Sequence, residues 1–423
     1  MRVDAWHVNT TRHGGGVAEI LTALAHVGDT AEVRHRRFIT SSDPAVFQIT
    51  KVLHHRLHGV DAGPLPDVLA HRTYLDFGRS NAESLLSRLA PGDLVVLHDP
   101  QTLPMASWLA AEGVPTAWRC HIGTDHPNPV SSTTWDYLRE LWPAELLLVF
   151  SSPKLVPRQT RGWRVEIIAP SIQPDAIKNA PLPPSRVATV LGQVGLLPGY
   201  PRAPSRVTVI SEQPVDGDPV ILQVSRWDPL KDMAGVLRAF AESHLPAMAR
   251  LVLCGPSPDG IADDPEAVAV LAAVTRQRAE LPPAIRRRVH LVCPDLFDQA
   301  GNALLVNALQ RRADVVVQKS RQEGFGLTVT EAMWKARPVV ATRVGGITSQ
   351  ITHGDTGLLV DDPDDLVGVA GLVGSLLGDR PRAEALGAAA ARRATERFTT
   401  AREAADHHRL YRRLALADPA GPA

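Results

Sequence analysis

Short β-branched runs alternate with longer stretches of helical periodicity along most of this chain, and that alternation restricts the fold more than any other feature. A strand buried on both faces reads as a continuous apolar run. A helix must then carry the chain back before the next parallel strand can start. In the first half the expected strands are 6–9, 94–98, 116–121, 146–151 and 165–168. In the second they are 220–225, 250–255, 289–292, 315–319, 338–342 and 357–360, with helices at 233–243, 264–280, 301–311, 328–335 and 364–377. The chain has 423 residues. A single core stops growing at roughly 250–300 residues, so two α/β domains are expected. Between the two sets of strands lies 180–204, APLPPSRVATVLGQVGLLPGYPRAP, whose proline density resists regular structure. The linker is placed there, giving domains 1–195 and 205–399. The stretch 382–416 is Ala/Arg-rich with apolar residues at helical spacing, and 417–423 is expected to fray.

Charge and composition narrow the function. Lys+Arg and Asp+Glu number 45 each, which argues against a nucleic-acid partner. No apolar run approaches the ~18–20 residues of a membrane-spanning helix. The opening MRVDAWHVNTTRHGGG lacks the apolar segment of a secretory signal, so a cytoplasmic location is expected. Cys120, Cys254 and Cys293 are far apart and odd in number, which fits buried thiols in a reducing compartment. Asp361, Asp362, Asp364 and Asp365 precede a helix and read as capping acids, not as metal ligands. No serine-hydrolase elbow, Walker A loop or zinc spacing is present, and no metal is expected.

Four polar clusters sit at the carboxyl ends of expected strands, where parallel sheets bind ligands. The segment 318–346, QKSRQEGFGLTVTEAMWKARPVVATRVGG, runs strand, glycine loop, helix. Gly324 and Gly326 let backbone approach a ligand, and the helix that follows offers N–H groups to an anion. Glu323 and Glu331, eight residues apart, can hold a sugar hydroxyl and a ribose; a glycine turn with a capping acid is the alternative. In 224–232, VSRWDPLKD, Arg226 and Lys231 suit a diphosphate. Alternatively they are solvated loop charges paired with Asp228 and Asp232. The run Gly14, Gly15, Gly16 is followed by Glu19 where a dinucleotide fingerprint needs glycine, so it reads as a loop over phosphates or acceptor, or as a plain turn. HDPQ (98–101) and WRCH (118–121) place Asp99, Gln101 and His121 at strand ends. Asn128 and Trp135 follow as residues that could line an acceptor pocket.

These segments together carry a family resemblance. Glu323 to Glu331 with Gly345-Gly346 resembles the E-x7-E signature of retaining GT-B glycosyltransferases of the glycogen-synthase-like, family 4 type. HDPQ, WRCH, SIQP (171–174), VSRWDPLKD, VNALQRRADVVVQKS (306–320) and EGFGLTVTEAMWK (323–335) are similar to the trehalose synthases of the glycosyltransferring type. The resemblance implies an α/β GT-B fold of two doubly wound Rossmann-like domains facing a central cleft. It also implies a C-terminal helix, about 400–416, returning to the first domain. It implies glucosyl transfer from a nucleotide-sugar, such as UDP-, ADP- or GDP-glucose, to a sugar acceptor, with an α,α-1,1 linkage.

Residue roles follow from the resemblance alone. Arg226 and Lys231 bind the donor diphosphate, Glu331 the ribose, and Glu323 with the backbone of Gly324, Phe325, Gly326, Leu327 and Thr328 the donor sugar. His121 contacts the donor sugar near the reacting carbon, and Gly15 and Gly16 close over the phosphates. The acceptor is expected on Asp99, Gln101, Asn128 and Trp135. A natural-product acceptor of aminoglycoside type and a phosphorylase that cleaves the same linkage stay open. A catalytically silent binding protein is opposed by the complete set of site residues, and an NAD enzyme by the missing third glycine. Oligomeric state is not encoded legibly; a homodimer is one open arrangement.

Overall fold

The computed structural model describes residues 2–12, 16–202, 206–215, 217–258, 265–295 and 297–415. The chain forms two compact units. One comprises Met1–Ile172, Glu323–Phe325 and Phe398–Ala423; the other comprises Gln173–Gln322 and Gly326–Arg397.

The first unit is built on a six-stranded sheet in the order β2-β1-β3-β4-β5-β6. The strands are β1 (Val3–Asn9), β2 (Val33–Ile39), β3 (Leu94–His98), β4 (Thr116–Cys120), β5 (Leu147–Phe150) and β6 (Val165–Ile167), all parallel. The chain moves from β1 out to β2 and returns to β3 on the other side. The winding therefore reverses between β1 and β3, and their carboxyl ends flank a topological switch point. β3, β4 and β5 are buried along their whole length, which is why they read as apolar runs. β2, VRHRRFI, is absent from the sequence reading because it is a charged edge strand. Its Arg34 and Arg36 reach Asp4 on β1 at 2.7 and 3.0 Å.

The second unit repeats the plan. Its seven strands lie in the order β13-β12-β11-β8-β9-β10-β7. They are β7 (Val207–Ile210), β8 (Val220–Val224), β9 (Arg250–Cys254), β10 (Val289–Pro294), β11 (Val315–Gln318), β12 (Val339–Thr342) and β13 (Leu358–Val360). β7 is the exception to the parallel arrangement, pairing antiparallel with β10 at the sheet edge. From β8 the chain goes out through β9 and β10, then returns to β11 on the far side of β8. The switch point is between β8 and β11, so the segments carrying Arg226 and Gly326 leave adjacent strand ends.

Two stretches differ from expectation. The proline-rich 180–204 contains the helix Pro184–Gln193, which packs on the helix Gln299–Arg312 inside the second unit. Its prolines stand at the N-cap and first position, where no backbone N–H is needed. The division between units falls ahead of it, at Ile172/Gln173. The stretch 382–416 is two helices, Arg380–Arg397 and Thr400–Ala415, broken where Thr399 bridges Ile172. The described residues from Phe398 to Ala415 group with the first unit. No helix among the described residues is long and apolar enough to cross a membrane. The three cysteines are buried, and none of them is in a disulfide.

Candidate active site

In the second unit one buried side chain ties both strand ends of the switch point together. Gln223 on β8 donates to the Lys231 carbonyl at 2.7 Å and accepts from the Lys319 backbone N–H at 3.0 Å. A glutamine in the interior of a β-strand satisfies its amide only through such partners, so the two loops are held at fixed separation. Asp228 caps the short turn Pro229–Lys231 through the Leu230 N–H. Its other oxygen accepts from Arg226 at 2.8 Å, while the Arg226 side chain remains 53% exposed. Asp232 has φ of +46° and caps the helix Met233–Ala241. Its ion pairs run to Lys319, fully buried, and to Arg321.

The helix Leu327–Trp334 starts from Gly326 at φ +88° and has no side-chain N-cap. That backbone conformation favours glycine, and the helix entry is braced from outside. Gln350 donates to the Gly326 carbonyl at 3.2 Å and accepts from Thr330 at 2.6 Å. Thr328 donates to Gln318 at 2.9 Å. Glu331 is 1% exposed. One oxygen pairs with Lys178 at 3.1 Å, and the other accepts from Gln310 at 3.2 Å. Lys335 donates to Gln310 and Asn179 at 2.8 and 3.0 Å. Burial pulls its ammonium down to about 7, against the opposing pull of the Glu331 carboxylate.

In the first unit the polar strand ends of β3 and β4 meet. Asp99 has φ of +60°. Its carboxylate accepts the His121 backbone N–H at 2.7 Å, and its carbonyl accepts from the Trp118 indole at 2.9 Å. Burial raises the Asp99 carboxyl to about 7, offset in part by that N–H and by Arg119. The Gln101 side-chain oxygen is buried with no partner among the described residues. Glu323, Gly324 and Phe325 group with this unit. A Cβ on Gly324 would lie 2.4 Å from the His121 carbonyl, so only glycine fits. Phe325 meets Phe398 edge to face at 5.7 Å.

Other expected site residues have different work. Asn128 forms a capping box with Ser131 and donates to the Gly59 carbonyl, so its amide is committed to the helix Pro129–Arg139. Trp135 is 4% exposed and packs among Trp118, Trp142 and Phe150. The structure thus gives both of these acceptor candidates a structural task. Gly16 opens the helix Gly16–Val27, whereas Gly15 lies outside the described residues. Asp365 caps the helix Leu366–Gly378, and Asp361 and Asp364 pair with Arg343 and Arg321. Among the described residues no three His, Cys, Asp or Glu side chains are placed to hold a metal ion. Lys178 and Gln350 left no local signal in the sequence. Gln223 did: it is the polar residue inside the buried run VILQV.

Residues 7–157 match the family model "Trehalose synthase, N-terminal domain", and residues 218–379 match "Glycosyl transferases group 1". The trehalose synthase of Pyrococcus horikoshii is 32% identical over 363 residues, covering 85% of this chain and 79% of its own. That of Rubrobacter xylanophilus is 33% identical over 415 residues, covering 96% and 90%. A solved trehalose-6-phosphate protein of E. coli, bound with UDP-2-fluoro glucose, superposes with a TM-score of 0.72 at 18% identity. It covers 99% of this chain and 100% of its own, and shows that the fold is shared.

Proposed function

The chain belongs to the trehalose synthase family of glycosyltransferases, and from that premise we propose that it transfers a glucosyl-type sugar from a nucleotide-sugar to a sugar acceptor, forming an α,α-1,1 linkage with retention. One observation carries the site assignment. Loops bearing Arg226, Lys231 and the Gly326 helix start leave adjacent ends of β8 and β11 at the switch point, locked in register by Gln223. A nucleoside diphosphate leaving group develops charge, and fixed cations with backbone N–H groups stabilise it there. We assign the diphosphate to Arg226 and Lys231, and the ribose to Glu331. The donor sugar is assigned to Glu323, the backbone of Gly324–Thr328, and His121. These groups supply the charge without calling on a metal. Retention is accounted for by attack on the face occupied by the leaving phosphate, which takes the acceptor's proton. The second unit is thus the donor-binding domain, and the first carries acceptor contacts, with Asp99 and Gln101 the remaining candidates.

Product analysis tests the reading. The protein is incubated with UDP-, ADP- and GDP-glucose and free glucose, with and without EDTA, and the products are read by NMR. An α,α-1,1 disaccharide that forms in EDTA is the expected result. Nucleotide release without disaccharide would move the acceptor to another sugar-like molecule. Cleavage of the disaccharide that requires phosphate and no nucleotide would overturn the transferase reading in favour of a phosphorylase.

A further inference from the structure

Four side chains of the first unit form one hydrogen-bonded line. The Tyr411 hydroxyl meets His7 Nε2 at 2.8 Å, His7 Nδ1 meets His98 Nε2 at 2.9 Å, and His98 Nδ1 meets His121 Nε2 at 3.0 Å. They come from four different places: the helix Thr400–Ala415, β1, the end of β3, and the residue after β4. His7, His98 and Tyr411 are buried. Desolvation holds the His7, His98 and His121 imidazoles well below the usual histidine range, and the nearby Arg119 guanidinium adds to it. Each ring is therefore neutral at neutral pH and carries a single N–H.

A neutral imidazole donates from one nitrogen and accepts at the other, so each ring in the line dictates the next. Two assignments satisfy all three contacts. In the first, the Tyr411 hydroxyl donates to His7 Nε2, every ring carries its proton on Nδ1, and His121 ends the line with a free Nδ1–H. In the second, every ring carries its proton on Nε2, and His7 donates to the phenol oxygen. The phenol proton then has nowhere to go, because His7 is the hydrogen-bond partner the described residues offer that hydroxyl. A buried donor left without an acceptor is costly, so the first assignment holds.

The geometry points to Tyr411, His7 and His98 as positioning residues that hold His121 in its Nδ1–H tautomer, presenting that N–H to an oxygen of the donor sugar. The inference deepens the reading above and rests on the assignment of His121 to the donor sugar. Tyr411 acts through two other rings and touches no substrate itself.

The test combines spectroscopy with a double-mutant cycle. In protein carrying 15N-labelled histidine, the His121 signals are identified by their loss in His121→Asn. The wild-type long-range 15N–1H pattern is expected to show the proton on Nδ1; a proton on Nε2 overturns the proposal without any need for a variant at Tyr411. Tyr411→Phe keeps the ring and removes the donor at the head of the line. It is expected to bring up the Nε2–H form of His121 and to lower kcat/KM about tenfold, the worth of one hydrogen bond. Asn at 121 presents its amide N–H near the Nδ1 position and has no tautomer to set. Tyr411→Phe is therefore expected to cost nothing further in the His121→Asn background. Equal losses in both backgrounds, or an unchanged His121 tautomer in Tyr411→Phe, would overturn the positioning role. His121→Ala with full activity would instead overturn the donor-sugar assignment, which separates the two failures.

Discussion

In the proposed reading, charge stabilisation depends most on the Arg226 side chain. Its guanidinium is half-exposed, so solvent screens its pairing with the buried Asp228 and it contributes little to stability. Arg226→Ala is expected to lower kcat by about 10²–10³-fold while the melting temperature stays at its native value. Near-native turnover would remove Arg226 from the site. Gly324 behaves differently, because the added methyl of Gly324→Ala would meet the His121 carbonyl, which is backbone and cannot swing aside. The loop must shift, and kcat/KM should fall at least tenfold, as expected when a reacting group is displaced by about 1 Å. Retained activity in that variant would show that the loop position is not critical. The proposed site residues Arg226, Lys231, Glu323 and Glu331 stand out by local spacing because each lies in a short motif beside a strand end. Lys178 is not, since it reaches Glu331 from 153 residues away in sequence. The structural tasks of Asn128 and Trp135 are not legible, because a cap and a core indole look, in sequence, like polar and aromatic site residues.

The helix Thr400–Ala415 is fastened through a buried ion pair. Glu403 accepts from Arg119 at 2.6 Å and from Ser171 at 2.5 Å, and Arg119 also donates to His407 and to the Ile168 carbonyl. Removing one partner strands the other charge in a dry environment. Glu403→Ala is expected to cost about 3–5 kcal/mol in urea unfolding. The double variant Arg119→Met with Glu403→Leu should recover most of it, since neither charge is then left behind. A single variant as stable as the native protein would show that water reaches this pair. The central strands were legible because burial on both faces leaves an apolar run. β2 and β7 were not: β2 is charged at the sheet edge, and β7 is four residues long within a proline-rich region. The Pro184–Gln193 helix was hidden by prolines that begin it instead of breaking it.

Across the molecule the titrating load is unequal. In the first unit burial lowers His7, His98, His121 and His407 well below the usual range and brings His35 down to about 4. In the second unit His290 is brought down to about 3. An unfolded histidine takes up a proton near pH 6.5, so below that the unfolded chain binds protons that the native chain refuses. Stability is then lost as pH falls from about 6.5 towards 4, by up to ~1.4 kcal/mol per pH unit for each ring. Asp99 runs the other way: with its native pKa raised to about 7, its contribution is lost as pH rises from about 4 to 7. Five rings outweigh one carboxyl in the first unit. Its amides should therefore exchange faster at pH 5 than at pH 7 once corrected for intrinsic rates, ahead of those in the second unit, and the melting temperature should drop. A melting temperature unchanged between pH 7 and pH 5 would mean that the imidazoles are already charged in the native state.

Alternation of apolar runs and helical periodicity specified two parallel α/β units, and short motifs at strand ends marked the residues to which we assign the donor. Both are local properties, written within ten or so residues, and burial imposes them wherever the chain runs. Partner identity is a different kind of information. That Lys178 faces Glu331, that Gln223 spans two loops, and that Tyr411 heads a line of three imidazoles depends on which strands become neighbours. Winding order sets those neighbours, because it brings β1, β3 and β4 and a helix some 280 residues later to one polar strand edge. No window along the chain contains that juxtaposition, so folding alone assigns it.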